Sequence, residues 1–400
     1  MLLLSTTVKS YAWGRTDGIA ALVGSEPTGG PEAELWVGTH PAGPSVVVGD
    51  PEGRTLAEVI ASDPRRWLGP DLAGAGFTAL PFLLKVLAIG QPLSLQAHPS
   101  TSQAEAGFDR EEANGISLDD PGRTYRDRSA KPEALVSLTD TWAMCGFRPT
   151  EEAVALVEEL DLARLAPLSE HLGSGRPNAM EEAFAWLLGT GSEVGPSLAA
   201  EIAQAAKQRV AVGDDRADPF RWTTELSALH PDDPTILSPL LLNVVHLAEG
   251  DAVHLPAGNL HAYLSGAGVE VMSASDNVLR GGLTPKHVDV DELLSIVRFE
   301  PGVPRPPRRL EPERGVTVFD AGESSFALAL IEAGGEPVVI DPQRPSILLA
   351  IGGEVDVAGA DSGVTIDGGA AAFVAPGEGP LAVSGPGQLW WATVGDGLPT

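Results

Sequence analysis

"GDAVHLPAGNLH", Gly250 to His261, decides how the chain folds. Five residues separate Gly250 from Pro256, one separates Pro256 from Gly258, and two more lead to His261. The spacing predicts a hairpin. Pro256 stiffens the turn and Gly258 can adopt a positive φ, so the chain reverses tightly and His261 enters the following strand with its side chain already aimed inward.

A second metal-capable group lies upstream. The nearly continuous apolar run from Leu80 to Leu87 reads as a buried strand and leads into "LSLQAHPS", residues 93–100. Gln96 and His98, two apart in extended chain, project from one face while Ala97 faces the other way. A neutral imidazole and an amide oxygen could bind one ion together, but a divalent site of this kind would usually include a carboxylate as well. Glu133 in "YRDRSAKPEALVSL" is the best candidate, and the residue before a proline is pushed toward extended geometry, so Lys131 should share its side of the strand. His40, His171, His230, His246, His254 and His287 lack such a setting and read as ordinary core or surface residues.

The whole chain narrows the options. A length of 400 residues implies two or three compact units, and 46 Gly with 34 Pro imply many turns between short strands. A formal charge of -29 opposes nucleic acid and anionic membranes over most of the surface. The lone Cys145 excludes an internal disulfide framework and a cysteine-rich metal site. "MLLLSTTVKSYAWG" lacks a basic n-region and a long apolar core, so it reads as a first strand, and no window approaches twenty apolar residues. The expected location is the cytoplasm, without nucleic-acid or membrane partners.

Residues 1–150 read as short strands interrupted by a helix at "TLAEVI", where Thr55 and Glu58 form a capping box. Residues 151–235 turn helical: Val154, Val157 and Leu160, then Met180, Phe184 and Leu187, then Leu198, Ile202 and Ala206 repeat at helical spacing. Asn178 with Glu181 looks like one helix start, and Asp218-Pro219 like another. Strands return over 236–310. After the Pro/Arg-rich linker "PGVPRPPRRLEPER", short strands such as "SILLAIGGEVDV" predict an independent antiparallel β domain over 311–400.

The Gly250–His261 spacing resembles the second conserved motif of the cupin superfamily, a small jelly-roll barrel. Together with "YAWG", "AELWVGTHPAGPS", "LSLQAHPS", "KPEAL" and "LPAGNLHAYLSGAGVEVMSASDNVLRGGLTPKH", in that order, it resembles the type I phosphomannose isomerases over roughly the first three hundred residues. The resemblance implies a mainly β fold of cupin barrels with an α-helical insertion: a catalytic cupin split over 1–150 and 236–310, the insertion over 151–235, and a metal-free cupin-like domain over 311–400. In that last domain "GGAAAFVAPGEGPLAV", Gly368 to Val383, keeps the flavour of the hairpin without a histidine after Gly377.

By the same resemblance Gln96, His98, Glu133 and His261 are ligands of one zinc ion per chain. Arg280, Lys131, Glu270 and Lys286 line the pocket, and the chain acts as a monomeric aldose-ketose isomerase of mannose 6-phosphate and fructose 6-phosphate, working through a cis-enediol. Guanidinium stays protonated, so Arg280 suits an electrostatic clamp on enediolate or phosphate, and the proton acceptor is left open between Glu270 and Lys131. Lys286 suits the phosphate. Trp13 reads as a packing residue of the rim or core, with sugar stacking as the alternative. Two other readings stand beside this one: a cupin isomerase or epimerase of another sugar phosphate, and a non-catalytic sugar-binding cupin.

Overall fold

A computed structural model describes residues 1–211, 215–360 and 362–399. Its centre is the strand Phe82–Ile89, buried at every position because it has a hydrophobic layer on both sides. Phe82, Leu84, Val86 and Ala88 face one core, whereas Leu83, Leu87 and Ile89 face the other way. The one charged residue in "FLLKVLAI", Lys85, shares the second face by period two.

Beside it runs the longest strand, His261–Ser273, which pairs antiparallel with Phe82–Ile89, Glu133–Ser137, Thr141–Phe147 and the two-residue strand Gln96–Ala97. Partway along, Trp142 opposes Ser265 while Ala143 opposes Tyr263, so one extra residue is inserted. Gly266 follows at φ 119, where a Cβ would strike Thr141 at 2.4 Å. The bulge reverses the alternation: His261 and Tyr263 before it and Glu270 after it all turn into the same barrel.

Around this barrel, among the described residues, lies a ten-stranded sheet, with eight- and four-stranded sheets building the C-terminal barrel. The expected cupin architecture is present, but the tail is not independent. Leu2–Ser5 pairs with Ala371–Val374 and so extends the C-terminal sheet from the other end of the chain. Leu35, Val86, Val136 and Val271 of the first barrel also share one core with Phe319, Ile347, Phe373 and Trp390 of the second.

The helical segment contains Thr150–Glu159, Ala166–Leu172, Ala179–Leu188, Gly191–Arg209 and Pro219–Leu229. Asp218 accepts from the Phe220 N–H at 2.8 Å with Pro219 in the first turn, as its sequence indicates. Asn178 does stand at a helix start, yet its amide bonds to Glu182 instead of capping the backbone. The core of this segment also takes in Leu95, Ala97, Leu260 and Leu279. Each is the chain neighbour of Gln96, His98, His261 or Arg280, so burying it fixes the direction of the polar residue beside it.

Candidate metal centre

Four separate stretches of chain meet inside the first barrel. Gln96 lies opposite both His261 and Arg280 in the sheet register, and Glu133 opens its strand opposite Leu255 and Met272. The turn before His261 has the expected form: Gly258 sits at φ 79, and its N–H donates to the His98 carbonyl at 2.8 Å. A Cβ at Gly258 would come within 2.8 Å of the Ile296 carbonyl. The hairpin therefore fixes the position of one imidazole against the backbone of the other.

His98, Glu133 and His261 are exposed by 1%, 2% and 1%, and their ligand atoms lie within 4.8 Å of one another. His98 Nε2 is 3.4 Å from one Glu133 oxygen, and His261 Nε2 is 3.5 Å from the other. The tautomers follow from the opposite side of each ring. His98 Nδ1 lies 2.8 Å from the Asn277 carbonyl and His261 Nδ1 lies 3.0 Å from the Asn259 carbonyl; a carbonyl only accepts, so both protons sit on Nδ1 and both Nε2 atoms present lone pairs.

Lone pairs thus face a carboxylate. His98 Nε2 and Glu133 Oε2 are buried without a hydrogen-bond partner among the described residues. Such orphaned acceptors are costly. A cation between them would satisfy both, and two imidazoles with one carboxylate suit a divalent transition ion. Gln96 turns its amide nitrogen toward His261 Nε2 at 3.4 Å. That nitrogen has no lone pair to offer a metal, so Gln96 could join only through its oxygen after the amide turns over.

The surrounding charges point the same way. Burial alone would raise the Glu133 carboxyl, but the Lys131 ammonium, 3.0 Å away, holds it well below the usual carboxylate range. Burial pushes the His98 imidazole down to about 4, further lowered by the Lys131 ammonium and only partly opposed by Glu133. Deeper in the barrel Lys85 lies 3.3 Å from Glu270 and 3.5 Å from Glu34, while Tyr263 donates to Glu270 at 3.2 Å. Those carboxylates outweigh burial and raise the Lys85 ammonium above its ordinary value. Burial and the nearby carboxylates Glu133 and Glu34 raise Glu270 despite Lys85. Among the described residues Glu34, Glu133 and Glu270 face the cations Lys85 and Lys131, an excess of negative charge that a bound cation would offset.

Arg280 and Lys286 line a cleft of about 640 Å³ with Arg126, Thr124, Asp276 and His287. Lys286 is pushed down by the neighbouring Arg280 guanidinium and by burial. Trp13 lies elsewhere, half-buried, stacked on Tyr11 and against the cluster containing Leu87, Ile89 and Tyr263.

Sequence reasoning missed Lys85 and Glu34. A lysine alone in the middle of an apolar strand was the available signal, because a buried ammonium needs anionic partners. Glu34 is tied to Trp36, whose indole N–H it accepts, and no local pattern announces that contact. His40, a histidine read as ordinary, does bond Asp276 at the cleft wall at 3.1 Å.

The fold and this interior define a class: cupins equipped to hold a metal beside a cationic cleft. Known proteins narrow it. Residues 1–150 match the family model described as phosphomannose isomerase type I, catalytic domain. The chain is 37% identical to the mannose-6-phosphate isomerase of Shigella flexneri, over 97% of this chain and 98% of that protein. It is 30% identical to the human mannose-6-phosphate isomerase over 88% and 87%. A crystal structure of mannose 6-phosphate isomerase bound with zinc and yttrium superposes with a TM-score of 0.88 at 34% identity, covering 98% of this chain and 99% of that one. The chain belongs to the type I phosphomannose isomerase family.

Proposed function

We propose that the protein is a zinc-dependent aldose-ketose isomerase that interconverts mannose 6-phosphate and fructose 6-phosphate. The observation that carries this reading is the convergence of His98 Nε2, His261 Nε2 and Glu133 as buried acceptors with two of their atoms unpartnered. His98, Glu133 and His261, joined by Gln96 through its amide oxygen, would hold one zinc ion. Bound there, zinc supplies Lewis acidity toward the sugar oxygens next to the carbon that loses its proton.

The other steps fall to the chain's own groups. Arg280 and Lys286 bind the phosphate dianion in the cleft, and Arg280, always protonated, also stabilises enediolate charge. Glu270 moves the proton between C1 and C2: its raised pKa keeps the carboxylate basic enough for the task, and Lys85 with Tyr263 holds both of its oxygens. Lys131 orients Glu133. Trp13 contributes by packing. The catalytic cupin takes its strands from 1–150 and 236–310, apart from Leu2–Ser5 and Val46–Val47, which pair into the C-terminal sheet, with 151–235 as a buttress and 311–400 as a metal-free partner barrel.

A single chain carries every group named, which supports action as a monomer. Among the described residues no helix is long and apolar enough to cross a membrane. Doubly charged sugar phosphates do not cross bilayers unaided, which favours the cytoplasm, where they are made and used. The test is a metal-stripped assay. Chelation should abolish turnover of fructose 6-phosphate and zinc should restore it; a stripped protein that stays fully active refutes the reading.

A further inference from the structure

Asn277 is fully buried, 0% exposed, and every polar atom of its side chain is used. Its Oδ1 accepts from the Arg126 N–H at 2.7 Å and the Asp127 N–H at 3.3 Å, and its Nδ2 donates to the Asp127 and Ser129 carbonyls, both at 2.9 Å. Donors on one side and acceptors on the other fix which way the amide points. The clasp is reciprocal. Asp127 returns bonds to the turn that carries Asn277, accepting from Ser275 Oγ at 2.9 Å and from the Asp276 N–H at 2.9 Å.

The two clasped segments have separate duties. Arg126 and Asp276 line the cleft that holds Arg280 and Lys286, and the chain running on from Ser129 delivers Lys131 and Glu133. Through its backbone carbonyl, the same Asn277 holds the Nδ1 proton of His98. A buried amide with this many partners can be moved only by moving all of them.

We infer that Asn277 is a positioning residue that sets the imidazole of His98 and the Arg126–Ser129 wall of the sugar-phosphate cleft together, so that metal affinity and substrate affinity depend on one side chain. This rests on the isomerase reading above. Asn277→Asp keeps the shape and Oδ1 but turns a second oxygen toward the Asp127 and Ser129 carbonyls and the Asp127 carboxylate, which breaks half of the clasp.

The experiment compares Asn277→Asp with wild type in the full chain by three readouts: zinc affinity of the metal-free protein by chelator competition, KM and kcat for fructose 6-phosphate, and melting temperature. The expected result is zinc affinity weakened roughly 10- to 100-fold, the range for losing an outer partner of a metal-bound histidine, with KM raised several-fold. A merely structural role would lower the melting temperature and leave zinc affinity and KM of the folded protein at wild-type values; that result overturns the inference. If Asn277→Asp does not fold, Ser275→Ala decides, since Ser275 Oγ donates to Asp127 and accepts from the Asn277 N–H, so its loss loosens both sides of the clasp while keeping the Asn277 side chain. Weakened zinc affinity together with a several-fold rise in KM supports the coupling; a change in only one of the two, or in neither, overturns it. Wild-type controls separate the two claims: a wild type that neither binds zinc nor isomerises sinks the functional reading itself, whereas a wild type that does both, matched by Asn277→Asp, sinks only the role of Asn277.

Discussion

In the barrel around Phe82–Ile89 and His261–Ser273, Glu34, Lys85, Glu133, Glu270, His98 and His261 turn inward. In the C-terminal barrel of Ser346–Ile351, Ala371–Val374 and Gln388–Thr393, the corresponding interior holds Leu348, Ala350, Ala372, Val374, Leu389 and Trp391. One polar contact inside it is the Trp391 indole donating to Ser346 at 2.9 Å. The same wall geometry therefore serves chemistry in one case and packing in the other, and what separates them is a handful of inward residues. The first barrel can carry buried charge because its outer face shares a core with the second. The second supplies that support with an interior packed by apolar side chains.

The comparison is broken most severely by removing the carboxylate. Glu133→Gln should cut kcat by roughly 10³-fold or more and empty the site of zinc, because it deletes the anion that, among the described residues, both imidazoles face; steady-state kinetics and metal analysis check this. Phe373→Ala, in the shared core, should do the reverse. It should cost about 3–5 kcal/mol of stability by denaturant unfolding while kcat of the folded protein stays near wild type.

Acid provides a third test. In the metal-free protein the unfolded chain takes a proton at residue 98 near pH 6.5, whereas the folded imidazole resists it down to about 4. The folded state binds fewer protons across that window, so stability falls as pH drops through it, by up to about 3 kcal/mol from this group. Unfolding curves of His98→Gln should show a correspondingly smaller acid loss. The smallest effect belongs to the second barrel: Ser346→Ala removes the partner of the Trp391 indole and should cost about 1–2 kcal/mol with no change in turnover.

How much of this was legible varies with distance along the chain. The Gly250–His261 turn, the Gln96/His98 pair and the Thr55 capping box were readable because each is local; both halves of that box are present, with Thr55 N–H donating to Glu58 at 2.8 Å. Pairing of Leu2–Ser5 with Ala371–Val374 was not, since nothing in "LLLS" distinguishes one apolar partner strand from another. The tautomers of His98 and His261 were equally hidden: they depend on backbone carbonyls of Asn277 and Asn259, and a carbonyl looks alike at every position. Lys85 sits between these cases. Its type and setting were visible, but its partners Glu34 and Glu270 come from distant strands.

The first strand carries a consequence for biosynthesis. One edge of this strand pairs early, Leu4 opposite Val47, but on the other edge Leu3 lies opposite Ala372, so in a nascent chain that second edge stays unpaired until about 370 further residues have been made. At ribosomal speeds that interval is roughly 20–70 s, during which one edge of "LLLS" stays open to chaperones and to strands of neighbouring polypeptides.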